Sequence, residues 1–261
     1  SAPSPAGRAA ASPAKPKPPE PLAGQAGPGS SSAPPAVLSE AQAREEICRV
    51  GKSLFDRGYV HAAAGNISVR LDDGFLITPT DACLGQLEPA RLAKLNLQGQ
   101  QISGDKASKT IALHQAIYAA STAFDPKTRC VIHTHSSHCV ALSLLLQDSA
   151  EPELLPALTP YFVMKVGRVP HIAYDRPGSP AVAQAVAQAI ADYGQAGRPI
   201  RAVMLSRLGP NVWHESPASA MAVLEELEET AKLAVLTKDQ PISALSSSAI
   251  LALKKQFNAR W

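Results

Sequence analysis

The stretch Val131-Ile-His-Thr-His-Ser-Ser-His-Cys-Val-Ala-Leu-Ser-Leu-Leu145 decides how the chain is read. It passes from an apolar run into a helical pattern through His133, His135 and His138, three of the chain's 7 histidines. Cys130-Val-Ile-His-Thr-His reads as a short apolar strand, and a helix follows from about Ser137 to Leu146. In a strand, residues i and i+2 share a face, so His133 and His135 project together at the strand's carboxyl end. Two imidazoles on one face suit two corners of a tetrahedral zinc site. The plainer alternative is two solvent-facing histidines at a strand end. His138 opens the helix and points elsewhere.

Outward from that stretch, strands and helices mix without strict alternation. Ser39 with Gln42 forms a capping box, Ile47, Val50 and Leu54 recur at helical spacing, and Gly58 is the stop. Ile67, Val69 and Leu71 alternate as a strand, and Asp72-Asp73-Gly74 turns it back through Phe75-Leu76-Ile77. A second hairpin joins Leu92–Leu97 to Gln101–Ile102 across Gly99. Ile111, His114, Ile117 and Tyr118 mark a helix, in which His114 reads as a core histidine. Val163 to Ala173 reads as strands around Gly167. Pro180 to Tyr193 is an Ala-rich helix with Pro180 in its first turn. Arg201–Ser206 and Val212-Trp213 are strands flanking Gly209-Pro210. Ser216 caps a long helix that Pro217 opens and that runs through Leu236. A short basic helix lies near Leu251–Phe257. The mixture predicts an α/β fold: one three-layer domain over 38–261 with a mixed, largely antiparallel sheet.

Residues 1–37 are a tail of Pro, Ala, Ser and Gly. Such a composition buries too little apolar surface to offset its ordering entropy, so disorder is expected there. The tail has no apolar core of a secretory signal and no Arg-rich amphipathic periodicity. The formal charge of the 261 residues is only +3, and no basic stripe interleaves with aromatics, which argues against a nucleic acid partner. No apolar run approaches the roughly 18 residues of a membrane span. Cys48, Cys83, Cys130 and Cys139 are scattered without a Cys-x-x-Cys pair, as expected for reduced, buried thiols in a cytoplasmic protein.

An ordered series runs through the chain: Gly65-Asn66-Ile67-Ser68, Thr78-Pro79-Thr80, Ser108 with His114, then His133-Thr-His135. In these residues, from about Ser39 to Thr237, the chain resembles the class II aldolase/adducin family. Ser-Gly-Asp-Lys at 103–106, Leu-Thr-Pro-Tyr-Phe-Val-Met-Lys at 158–165, Pro177-Gly178 and Leu-Glu-Glu-Leu-Glu-Glu-Thr-Ala-Lys at 224–232 resemble its branch of 3-oxo-tetronate 4-phosphate decarboxylases. The resemblance implies a class II aldolase-like α/β/α domain and a homotetramer. It implies one Zn2+ per subunit held by His133 and His135, and a small phosphorylated sugar-acid substrate. It places the substrate phosphate on Gly65, Asn66, Thr80, Ser108 and Lys109, residues otherwise read as ordinary turn chemistry. It makes Tyr161 a proton donor reaching into a neighbouring subunit, or else a structural tyrosine. The implied reaction is decarboxylation to dihydroxyacetone phosphate and CO2 in sugar-acid catabolism. A sugar-phosphate aldolase and a metal-free binding or scaffold relative are the alternatives.

The sequence departs from the family's pattern in places. The family's acid/base Glu is Thr110 here, and Leu208 stands where a third His ligand is expected. Asp81 replaces a turn glycine. His214 is the first candidate for a substitute ligand, with His138 and His61 behind it, whereas His171 reads as peripheral.

Overall fold

The structure, a computed structural model, describes residues 37–146 and 152–261, so the expected tail lies outside the described residues save for Val37. The first helix, α1, spans Glu40–Asp56, and Ser39 caps it through the anticipated reciprocal box with Gln42. The hairpin β1 (Asn66–Arg70) and β2 (Gly74–Ile77) is followed by β3 (Ala93–Asn96) and β4 (Gln101–Ser103). Then come α2 (Ile111–Ser121), β5 (Cys130–His133) and α3 (Ser137–Leu145). After β6 (His171–Ile172) and α4 (Pro180–Gln195) the chain forms β7 (Ala202–Leu205), β8 (Gly209–His214), α5 (Pro217–Leu236) and α6 (Ser247–Phe257).

Eight strands make one sheet in the order β4-β3-β2-β1-β5-β8-β7-β6. Every neighbouring pair is antiparallel except β6 with β7. The three layers follow from period-two alternation in strands that are apolar on both faces. Cys130 and Ile132 of β5, Ile67 and Val69 of β1 and Val212 of β8 face a core shared with α1, α3 and α5. Val131, Val203, Leu205 and Trp213 face the other way, onto Ile117 of α2 and Val182, Val186 and Ile190 of α4. Each wholly buried aliphatic side chain contributes about 1.5–3 kcal/mol. His133 follows Val131 by two, so the same alternation turns it toward α2 and α4.

Two expectations change. The strands expected over Val163–Ala173 are mostly absent: Phe162–Val166 forms a wide π-helical turn, and only His171–Ile172 pairs as a strand. The physical reason is spacing. Val163, Val166 and Val169 recur every three residues and all are buried in the α1/α3/α5 core, a pattern a helical turn satisfies and a strand does not. Phe162 adds an edge-on contact with Trp261, their ring centroids 5.8 Å apart. His135 also lies beyond β5, which ends at His133.

Candidate active site

β5, an interior strand, delivers His133 at its carboxyl end, between Asn66 of β1 and Asn211 of β8. The His133 Nδ1 lies 2.9 Å from the Pro210 carbonyl oxygen. A carbonyl only accepts, so Nδ1 carries the proton and Nε2 keeps its lone pair. Burial, and then the neighbouring His135, push the His133 pKa down to about 4 against the opposing Pro210 hydrogen bond. His133 is therefore neutral at pH 7. His135 follows in the loop to α3, its ring 5.1 Å from that of His133 at 67°. Burial and then His61 lower its pKa as well.

Two glycines make this strand end possible. Gly65 has φ 84°, and a Cβ there would lie 2.9 Å from the His133 carbonyl oxygen. Gly209 has φ 136°, and a Cβ there would lie 1.9 Å from the Thr134 carbonyl oxygen. The backbones on both sides of β5 approach so closely that no side chain fits between them.

A cavity of about 450 Å³ opens beside the histidines. One wall is the segment entering α2, with Ser108, Lys109 and Thr110; another is the turn Thr80–Asp81. An isolated bridge between Pro79 and Ala107 ties these two walls together. Gly65 and Asn66 form a third wall, and Arg176–Pro180, entering α4, a fourth. The Thr110 hydroxyl bonds that of Ser108 at 2.8 Å. Among the described residues, Asn66 Oδ1 and Asn211 Oδ1 are buried without a hydrogen-bond partner. Behind them His114 is wholly buried with Nδ1 2.7 Å from Ser68 Oγ, and burial takes its pKa down to about 3.

The fold thus gathers Gly65, Asn66, Thr80, Ser108, Lys109, Thr110, His133 and His135 around one cavity. Tyr161 is not among them: it stands before the π-helical turn and is 59% exposed. The register separates His214 from the pair. It faces Cys130, three residues down the strand from the His133–Asn211 pairing, about 10 Å away at strand rise. His138 is engaged elsewhere, its Nδ1 2.7 Å from Glu228 Oε1. His61 comes near only His135, at 6.3 Å between rings. Leu208 lines the cavity with aliphatic carbon. Sequence reasoning missed Asn211 and Arg176. Asn211 had a local signal, a polar residue inside an otherwise apolar strand. Arg176 had none, because only the packing of α4 beside α2 brings it here.

The donor set decides whether zinc fits. Two imidazoles on one tetrahedral zinc, with Zn–N near 2.0–2.1 Å, hold ring centres about 5 Å apart, so the His133–His135 spacing suits two corners. The Nδ1–carbonyl bond of His133 is also how ligating histidines are oriented. A catalytic zinc takes three protein ligands. Among the described residues no group of three His, Cys, Asp or Glu side chains is placed to hold a metal, and Leu208 offers no donor. The residues present do not complete a zinc site.

Comparison with known proteins agrees with the architecture. Residues 45–235 match the family described as Class II Aldolase and Adducin N-terminal domain. A 3-oxo-tetronate 4-phosphate decarboxylase of Cupriavidus necator is 51% identical over 229 residues, 86% of this chain and 100% of that protein. A protein of the same description from Escherichia coli K12 is 41% identical, covering 82% of this chain and 96% of its own. The crystal structure of YgbL, a putative aldolase/epimerase/decarboxylase from Escherichia coli, superposes with a TM-score of 0.74 at 40% identity, over 82% of this chain and 99% of that one. The chain belongs to the class II aldolase/adducin family.

Proposed function

We propose that this carbon–carbon lyase decarboxylates a 3-oxo-tetronate 4-phosphate to dihydroxyacetone phosphate and CO2. One observation carries the reading beyond the likeness to the relatives. The cavity holds cations and hydroxyls, and Asp81 is the one carboxylate among its described lining residues. Aldol cleavage needs a base to take a hydroxyl proton; Thr110, where the family has its Glu, is no carboxylate base, and the His133 imidazole is left as an acceptor beside the cavity. Loss of CO2 from a 3-oxo acid needs no base.

In this reading the phosphate rests on Gly65, Asn66, Thr80, Ser108 and Lys109, where turn amides, hydroxyls and an ammonium make an anion cradle. The C1–C2 bond breaks, its electron pair moves into the 3-oxo group, and CO2 departs, leaving an enediolate. The Thr110 hydroxyl is a donor within the cavity for the oxygen that takes the charge. His133 Nε2, neutral and unprotonated, accepts the 2-hydroxyl. A proton then returns to C2. Tyr161, exposed on its own chain, serves a neighbouring subunit of a homotetramer as that donor. A cytoplasmic location belongs to the same proposal. The Zn2+ expected at one per subunit has only His133 and His135 to hold it, so none of these steps passes through a metal.

The test is CO2 and dihydroxyacetone phosphate release from a synthetic 3-oxo-tetronate 4-phosphate, with zinc counted per chain in the same preparation. Stoichiometric release of both products is expected. No release with or without added zinc sinks the reading.

A further inference from the structure

Two cations line the cavity from different segments of the chain, Lys109 before α2 and Arg176 before α4. Among the described residues neither side chain has a hydrogen-bond or ion-pair partner. The nearest carboxylate in sequence to Arg176 is Asp175, and it is already engaged. Its Oδ1 accepts the Arg176 backbone N–H at 2.7 Å and its Oδ2 the Ser179 hydroxyl at 2.5 Å. Asp175 thus shapes the loop and attracts the guanidinium only through space, without a hydrogen bond to it. The helices that follow, α2 and α4, start without a side-chain cap on their own N–H groups and without an acidic residue in the first turn. Their free N–H groups add positive partial charge at the same cavity.

One phosphate accounts for one such anchor. The phosphate cradle of the proposed function uses Lys109 and leaves Arg176 unassigned. A planar guanidinium matches a carboxylate fork better than a point charge does, while an ammonium suits a phosphate. We propose that Arg176 binds the carboxylate of the substrate, so that the cavity selects four-carbon acids phosphorylated at the far end over sugar phosphates that lack an acid group. This assignment rests on the decarboxylase reading for the identity of its ligand. Arg176 is exposed, so water screens its hold on the carboxylate and the contact does not lock that group against leaving as CO2.

Calorimetric binding of two unreactive ligands tests it: a 4-phospho-tetronate, and the tetritol phosphate that differs only in carrying CH2OH for the carboxylate. The unaltered chain is expected to bind the acid about tenfold more tightly, the size of one charge-assisted contact at an exposed site. Arg176→Gln should abolish that preference and leave the tetritol phosphate unchanged, and Arg176→Lys should restore part of it. No preference in the unaltered chain overturns the assignment. So does a preference that survives Arg176→Gln, or an equal weakening of both ligands. If the preference behaves as stated but no CO2 is released from the 3-oxo acid, the decarboxylase reading falls and the carboxylate site stands.

Discussion

Helix N-termini surround the end of β5, and they are finished in opposite ways. At α3 the protein supplies its own anion. Glu228, buried in α5, accepts the His138 and Cys139 backbone N–H groups at 3.0 and 3.1 Å and the His138 ring at 2.7 Å. At α2 and α4 no carboxylate accepts the helix's own N–H groups: both start without a side-chain cap, Asp175 reaches α4 only through the Ser179 hydroxyl, and Lys109 and Arg176 line the cavity beside them. Free helical N–H groups with their dipole attract an anion in either case. The difference teaches that the first terminus is closed by a buried carboxylate while the other two open onto the cavity.

The largest expected effect tests the ligand side. His133→Ala removes the neutral Nε2 at the strand end, and turnover should drop by about a hundredfold or more with the melting temperature little changed. Retained turnover in a steady-state CO2 assay would take His133 out of the chemistry. Next comes the structural side. Glu228→Gln keeps the shape but loses the charge that α3 receives, and urea unfolding should show a loss of about 2–3 kcal/mol. Activity per folded molecule should hold. A fall in turnover without a fall in stability would erase the contrast between the termini.

A smaller effect comes from pH. His114 has its pKa pushed by burial from 6.5 to about 3. The unfolded chain binds the proton first, so the stability from keeping this ring neutral is complete above pH 6.5 and is lost as pH falls toward 3. Between pH 7 and pH 5 the loss is about 2 kcal/mol at 1.36 kcal/mol per unit. Urea midpoints across that range, compared with those of His114→Gln, isolate it. A pH slope unchanged by the substitution would mean the ring is not held neutral by its burial.

Much of this was legible locally. Ser39 with Gln42, the Asp72-Asp73-Gly74 turn and Ser216-Pro217 each carry their own stereochemical instruction, and each element begins or turns where they stand. The pairing of His133 with His135 was also legible, although the second ring reaches the first from a loop. Val163–Ala173 misled because a valine-rich run suits a strand by composition, whereas its three-residue spacing suits a helical turn. His214 misled because its distance from His133 is set by the register of two antiparallel strands, which no single strand reveals. Arg176 needed the packing of two helices separated by almost sixty residues.

Glu228 has a mechanical consequence for the loop that carries His135. That loop is only Thr134–Ser136, fastened to β5 at one end and, through α3, to a carboxylate of α5 at the other. The Thr134 hydroxyl bonds that of Ser136 at 2.6 Å within it. A backbone shift at His135 works against α3, which three hydrogen bonds hold to a helix ninety positions later in the chain. The imidazole wall is therefore stiff, and a ligand must adapt to it rather than the reverse.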